Sequence, residues 1–170
     1  MTDQIQGYRL SPVQRRAWSL ASSDGSLPRV SATVEVGGPL DLDRLRGALA
    51  AVIERHEILR TRFQRVAGMA FPLQVVAPTA PAVVRVGADA ATDADADAAV
   101  IATVTALAAD RHVLTVAVAA ACADAAGLEH LIGELARAYA GAPAATDAAD
   151  LLQYAVVSDW LNEIGRASCR

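Results

Sequence analysis

The residues of this chain that could do chemistry are few, and two of them meet at one junction. The segment VAAACADAAGL, from Val118 to Leu128, follows a strand-like run and precedes an apolar helical pattern. Ligands commonly bind where strands end and helices begin, yet this junction offers only the thiol of Cys122 and the carboxylate of Asp124. A reactive cysteine needs a nearby base or cation, and neither histidine nor lysine lies close to Cys122 in sequence. We therefore interpret Cys122 as a small buried side chain.

Other familiar chemistries lack their motifs. The chain contains no CxxC, HExxH or GxGxxG sequence, so we predict neither a metal site nor a dinucleotide site. The Asp/Ala-rich stretch 88–99 has no glycine at the turn position, which excludes an EF-hand loop and favours a solvated loop. Cys122 and Cys169 do not make a disulfide framework.

Composition sets the broad class of the protein. With 170 residues and a hydrophobic fraction of 54%, the chain can bury a single core, which must be built from Ala, Val and Leu because aromatics make up only 4%. The net charge of -4 argues against a nucleic-acid or anionic-membrane surface. The N-terminus has no signal-peptide pattern, which predicts a cytoplasmic protein.

Hydrophobic periodicity predicts alternating helices and strands, and hence an α/β or α+β layered fold. Ser11 and Asp41 are predicted helix N-caps, and Gly141 is a predicted C-cap. The predicted helices are Ser11–Leu20, Leu42–His56, Leu128–Tyr139 and Leu151–Asn162. The predicted strands are Arg29–Val36, Thr61–Val66, Leu73–Val76, Val83–Val86, Val100–Leu107 and His112–Ala119, with hairpins joining the second to the third and the fifth to the sixth.

Three segments resemble, in the right order, motifs of the condensation domains of nonribosomal peptide synthetases. LSPVQRRAW (Leu10–Trp18) resembles their first motif, and GPLDLDRLRGALAAVIERHEILRTRF (Gly38–Phe63) resembles the second, with its RHExLRTxF signature. LQYAVVSDW (Leu152–Trp160) resembles a QYxDxxxW-like segment further on. The signature residues are Ser11, Gln14, Arg15, Trp18, His56, Glu57, Thr61, Phe63, Gln153, Tyr154 and Trp160.

The resemblance implies a lobe with the chloramphenicol acetyltransferase-like fold, an α/β two-layer sandwich in which a mixed sheet packs against helices. In the family, two such lobes enclose a tunnel where an amine attacks a carrier-bound thioester and an amide bond forms. The chain would supply the first lobe, residues 8–163, after a flexible N-terminus, residues 1–7. The implied partners are the second lobe, peptidyl carrier proteins and an adenylation domain, but neither nucleic acid nor membrane. Substrates would arrive on phosphopantetheine arms, with no cofactor bound directly.

The family's third motif, HHxxxDG, falls on the junction between Val118 and Leu128. An ungapped count places its two histidines on Ala119 and Ala120, its aspartate on Asp124 and its glycine on Ala125. A methyl group can neither accept a proton nor orient an amine. His112 and His130 lie too far from the junction to replace the motif histidines, so we predict that the standard chemistry is lost.

The remaining motif residues have structural or surface roles in this interpretation. Asp124 caps the following helix and, by resemblance, pairs with Arg55, with Arg60 as the second candidate. His56 is expected to be a partly buried, hydrogen-bonded residue. Arg15 and Arg16 could bind the phosphate of a phosphopantetheine arm, although a solvated helix face is favoured.

The last residues, IGRASCR (Ile164–Arg170), match a reading frame of a common sequencing adapter, so we expect residues 164–170 to be a non-native tail. A single lobe would also expose the surface meant for its partner lobe, and we expect it to self-associate or to be poorly soluble.

Three functions remain open. The domain could be a degenerate, non-catalytic platform that docks carrier proteins. It could still promote acyl transfer by proximity and orientation alone. It could instead recruit a tailoring enzyme to the tethered peptide.

Overall fold

A computed structural model describes residues 7–21, 27–87, 98–144 and 150–167, with residues 165–167 described by their backbone alone. Within these residues, four helices and two sheets form the predicted layered fold. The helices are α1 (Pro12–Ser19), α2 (Leu42–Arg55), α3 (Ala125–Ala140) and α4 (Tyr154–Ala167), and a 3₁₀ turn spans Glu57–Arg60. The strands are β1 (Tyr8–Arg9), β2 (Arg29–Gly37), β3 (Thr61–Gln64), β4 (Leu73–Val76), β5 (Val83–Val86), β6 (Val100–Ala108) and β7 (Arg111–Ala119).

The larger sheet has the strand order β2-β7-β6-β5, with β5 parallel to β6 and the other pairs antiparallel. Its inner face carries small branched side chains against which α2 and α3 pack. The core contains Leu45, Leu49, Val52, Val100, Val104, Leu114, Val116, Val118, Leu128, Leu131 and Leu135. On the outer face, the hydroxyls of Thr33 and Thr115 are exposed and lie 3.2 Å apart. One covered face and one open face make this a two-layer sandwich.

The smaller sheet has the order β1-β4-β3, with antiparallel pairs, and α4 packs against β1. The backbone just before this sheet lies close to β4, because a Cβ atom added to Gly7 would lie 2.9 Å from the Cβ of Leu73. Gly7 therefore lies close to β4. Residues 1–6 lie outside the described residues, and the flexibility of residues 1–7 stays a prediction.

Local capping follows the sequence. Ser11 and Gln14 form a reciprocal capping box at the start of α1, with Pro12 in its first turn. The Asp41 carboxylate accepts hydrogen bonds from two backbone amides at the start of α2. Gly141 ends α3 in the left-handed conformation, with φ of 74°. The predicted caps of α1, α2 and α3 are confirmed.

Helix α4 differs from the prediction at both ends. It begins at Tyr154 rather than Leu151, because the Gln153 side chain hydrogen-bonds the Arg55 carbonyl and the Glu57 amide and holds the preceding residues outside the helix. Its backbone stays helical to Ala167, past the expected end at Asn162. The foreign origin of residues 164–170 stays a prediction. Residues 168–170 lie outside the described part of the chain, and so do residues 88–97, which make up most of the Asp/Ala stretch.

Among the described residues, no helix combines the length and the apolar character that a membrane crossing requires.

Candidate functional site

A cleft of about 300 Å³ opens where β7 ends and α3 begins. One wall is the loop between these elements, and the other is made by α1, the segment after α2 and the start of α4. The lining residues are Val13, Gln14, His56, Ile58, Leu59, Ala120, Ala121, Cys122, Ala123, Asp124, Gly127, His130, Leu131 and Tyr154. Two of the four motif positions, Ala120 and Asp124, thus line the same cleft as His56 and His130.

The two positions assigned to the motif histidines carry methyl groups on a well-held backbone. Ala119 is the last residue of β7 and is buried, and its N–H donates to the Ala99 carbonyl at 2.9 Å. Ala120 lines the cleft, and its N–H donates to the Pro28 carbonyl at 2.8 Å. The loop is therefore fixed by backbone hydrogen bonds that require no particular side chain at either position.

Asp124 caps α3. Its Oδ1 accepts a hydrogen bond from the Gly127 N–H at 2.8 Å, and Ala125 is the first helical residue. The arginines expected beside Asp124 form ion pairs elsewhere, since Arg55 pairs with Glu134 and Arg60 with Glu57. The capping prediction is confirmed. The two arginines pair with these other carboxylates instead of with Asp124. For Arg55 the reason is that Glu134 on α3 lies next to the end of α2.

Glu134 is the centre of a polar cluster beside the cleft that none of the sequence motifs indicates. Its Oε2 lies 2.5 Å from His56 Nε2, and its Oε1 lies 3.4 Å from His130 Nε2 and 3.5 Å from Arg55 Nε. The carboxylate side chain is only 10% exposed. The four-residue spacing of His130 and Glu134 could have predicted their contact on one helix face. The contact of His56 with Glu134 depends on the packing of α2 against α3 and could not be predicted from spacing.

The pKa of Glu134 is lowered from its ordinary value of 4.5. Burial alone would raise the pKa of this carboxyl, but the His56 hydrogen bond and the positive charges of His56, Arg55 and His130 outweigh it. Glu134 is thus held as an anion, and it contacts His56 through Nε2.

A buried network behind the cleft connects α1 to the motif loop. The Gln14 side chain donates to the Gln74 side-chain oxygen at 2.7 Å and to the Ala121 carbonyl at 3.1 Å, and it accepts from the Ser11 N–H at 3.0 Å. Gln74 in turn donates to the Arg9 carbonyl and to the Ser158 hydroxyl. The signature residue Gln14 therefore positions the loop that in the family carries the histidines.

The other signature residues assemble the same region. The Tyr154 hydroxyl lies 2.8 Å from the Ser11 hydroxyl, which joins α4 to α1. The Thr61 hydroxyl donates to the Glu57 carbonyl at 2.8 Å and fixes the 3₁₀ turn. Trp18 and Phe63 have ring centroids 5.9 Å apart. These contacts are structural, and they join α1, α4, the 3₁₀ turn and β3 around the cleft.

Arg15 and Trp160 occupy the outer side of α1 and α4. The Arg15 guanidinium hydrogen-bonds the Asn162 side chain and lies 5.8 Å from the Phe71 ring centroid. Arg15 thus holds α4 on α1, while Arg16 is exposed. Trp160 is 62% exposed on α4, with its apolar neighbours Val156 and Ile164 also exposed.

Cys122 lines the cleft and is half-buried, less than the buried position expected, but its thiol is a weak acid. Burial raises the pKa of its thiol from 9.0 to about 12, against a smaller opposing effect of the Arg29 charge. The thiolate that a nucleophile needs is therefore scarce at neutral pH. Within the described residues, no group of three or more His, Cys, Asp or Glu side chains is arranged to hold a metal ion.

Comparison with protein-family models matches residues 4–106 to the condensation domain, which is more than half of the chain. The chain belongs to the condensation-domain family. The match ends before β7, so the placement of HHxxxDG on Ala119 to Ala125 stays a prediction from the sequence.

The relatives of this condensation domain include both synthetases and solved structures. Chondramide synthase cmdD from Chondromyces crocatus is 42% identical over 77 residues, which are 42% of this chain and 2% of that protein. The X-domain from teicoplanin biosynthesis is 27% identical with a TM-score of 0.76, covering 97% of this chain and 40% of that one. The X-domain in its complex with OxyB has the same identity and coverage, with a TM-score of 0.75. These matches confirm the predicted fold class, and the chain spans about two fifths of these solved structures.

Proposed function

We propose that this chain is the first lobe of a condensation-family domain that does not use the histidine mechanism and serves a nonribosomal peptide assembly line as a docking platform. The observation that carries the proposal is the loop after β7, where Ala119 and Ala120 occupy the positions assigned to the motif histidines. Without an imidazole there, the loop has no group to take the proton from an attacking amine.

The way in which the loop is built supports this proposal. Gln14 still binds the Ala121 carbonyl, and Asp124 still caps α3. His56 is engaged by Glu134 through Nε2 and lies outside the motif loop. The scaffold of the loop is thus retained while the two motif histidines are missing, as expected of a domain kept for binding.

The partners follow from the same proposal. Synthetase relatives such as chondramide synthase support carrier proteins as partners, with substrates tethered to phosphopantetheine arms. A second candidate function is recruitment of a tailoring enzyme, and the observation that favours it is the likeness to an X-domain that forms a complex with OxyB.

The test is to restore histidines in the complete domain. Replacing Ala119 and Ala120 by histidine should give amide formation between a carrier-bound thioester and an amine where the parent domain gives none. Replacing both by asparagine is the matched control, because it adds polar bulk without a base of suitable pKa. Amide formation by the parent at the rate of the histidine variant would refute the non-catalytic proposal and favour catalysis by proximity.

Binding separates the two non-catalytic functions. Calorimetric titration of the 170-residue chain with phosphopantetheinylated carrier protein should show binding if the chain is a carrier platform. Titration with a tailoring enzyme from the same assembly line should show binding if the chain is a recruitment domain. Binding of neither protein would rule out both functions for this lobe.

A further inference from the structure

The imidazole of His56 is a reactive group in the cleft that the docking role does not use. His56 follows the last residue of α2, and its backbone is fixed on both sides, because its N–H donates to the Val52 carbonyl and its carbonyl accepts from the Leu59 N–H. The side chain is 17% exposed and lines the cleft. The fold therefore holds the ring at a place that a ligand can reach.

The contact with Glu134 determines which ring nitrogen of His56 is basic. Glu134 Oε2 lies 2.5 Å from His56 Nε2, and Glu134 is held as an anion. An ionised carboxylate can only accept a hydrogen bond, so a neutral His56 carries its hydrogen on Nε2 and a lone pair on Nδ1. This Nδ1 hydrogen-bonds to no described residue and stays accessible to solvent, unlike the buried Nδ1 of His112. The ring thus offers a basic nitrogen to the cleft.

The charges packed around this pair keep the carboxylate ionised. Arg55 Nε lies 3.5 Å from Glu134 Oε1, and His130 Nε2 lies 3.4 Å from the same oxygen. The rings of His56 and His130 have centroids 6.4 Å apart. From the motif loop, Asp124 is the charged residue that lines the cleft. When His56 takes up a proton, the neighbouring Glu134 anion can stabilise the imidazolium that forms.

We propose that His56, oriented by Glu134, is a general base with which the cleft hydrolyses a thioester. The reaction needs neither motif histidine, because its nucleophile is water, which reaches Nδ1 without a second bound substrate. The apolar walls of Ile58, Leu59 and Leu131 would hold the acyl group, and a cleft of about 300 Å³ suits a short chain. This activity goes beyond docking, and it rests on the proposed function only for the choice of a thioester as substrate.

The hydrolysis balances without a further reactant. Nδ1 takes a proton from a water molecule as the water oxygen bonds to the carbonyl carbon of the thioester. The carbon–sulfur bond then breaks, and the leaving thiolate takes the proton from Nδ1. The products are a carboxylic acid and a thiol. Glu134 stays ionised and keeps its hydrogen bond to Nε2 throughout, so it is a positioning residue.

Hydrolysis of S-butyryl-N-acetylcysteamine by the 170-residue chain tests the proposal. The parent should exceed the rate in buffer by about 100-fold, and its rate should rise between about pH 5 and 8, where an imidazole loses its proton. His56→Gln should return to the buffer rate. The matched control, His112→Gln, removes a histidine of β7 that does not line the cleft and should keep the parent rate. A parent no faster than buffer, or a folded His56→Gln variant as fast as the parent, would overturn the proposal.

Nitrogen NMR of the His56 ring tests the role of Glu134 separately from the rate. The neutral ring of the parent should carry its hydrogen on Nε2. The amide of Glu134→Gln can donate as well as accept, so this variant should populate the ring protonated on Nδ1 and lower kcat by about tenfold or more with little change in KM. A neutral parent ring protonated on Nδ1 would refute the assignment of the base. Carrier-protein binding without thioester hydrolysis would overturn this inference alone and leave the docking proposal standing.

Discussion

Gln14 offers the sharpest test of how the motif loop is held in place. The side chain is 1% exposed and makes hydrogen bonds to the Ser11 N–H, the Gln74 side chain and the Ala121 carbonyl. Gln14→Ala leaves these three groups without their partner in a region closed to water. An unmade buried hydrogen bond costs about 1–3 kcal/mol, so the expected loss of unfolding free energy is about 3 kcal/mol or more.

The assay is urea unfolding followed by circular dichroism, with hydrogen exchange to locate the effect. At a slope of about 2 kcal/mol per molar urea, the midpoint should fall by about 1.5 M. Amide exchange should accelerate in the loop from Ala120 to Asp124. Gln14→Met separates packing from hydrogen bonding, since it fills the space without restoring the partners, and it should remain nearly as unstable as Gln14→Ala.

Gln64 provides the matched control, because it is the same residue type at an exposed position at the end of β3. Gln64→Ala should change the unfolding free energy by about 0.5 kcal/mol or less. If Gln14→Ala and Gln64→Ala prove equally stable, the buried network does not hold the loop.

Three further predictions concern the cleft. The pKa of Glu134 is lower in the folded protein than its ordinary value of 4.5, so the stability that Glu134 contributes above that value is lost as the pH falls through the folded pKa. In a plot of unfolding free energy against pH, Glu134→Gln should therefore reduce the fall in stability on the acid side. An unchanged fall would contradict this role of Glu134. Asp124→Ala should cost about 1 kcal/mol through loss of the N-cap, and Asp124→Asn much less, as measured by thermal unfolding; equal losses would point to a role of the charge instead. Cys122, with a pKa raised to about 12, should react with iodoacetamide at about pH 8 far more slowly than in the urea-unfolded chain, and equal rates would show an accessible thiolate.

Local sequence is enough to predict the elements and the family. Asp41, Ser11 and Gly141 mark helix ends because capping is a property of a few neighbouring residues. The hairpin of β6 and β7 follows from two β-rich runs around a polar turn. The RHEILRTRF and SPVQRRAW segments are specific enough to indicate the condensation family on their own.

What each face of an element meets depends instead on how the chain packs. Glu134 lies 78 residues from His56, and Gln14 lies 107 residues from Ala121, so no local pattern could pair them. The same limit explains why the resemblance directs Arg55 to Asp124 whereas the fold pairs it with Glu134. Periodicity indicates which side of a helix is buried. The residues that pack against that side depend on how distant elements come together, and the packing of the whole core determines that arrangement.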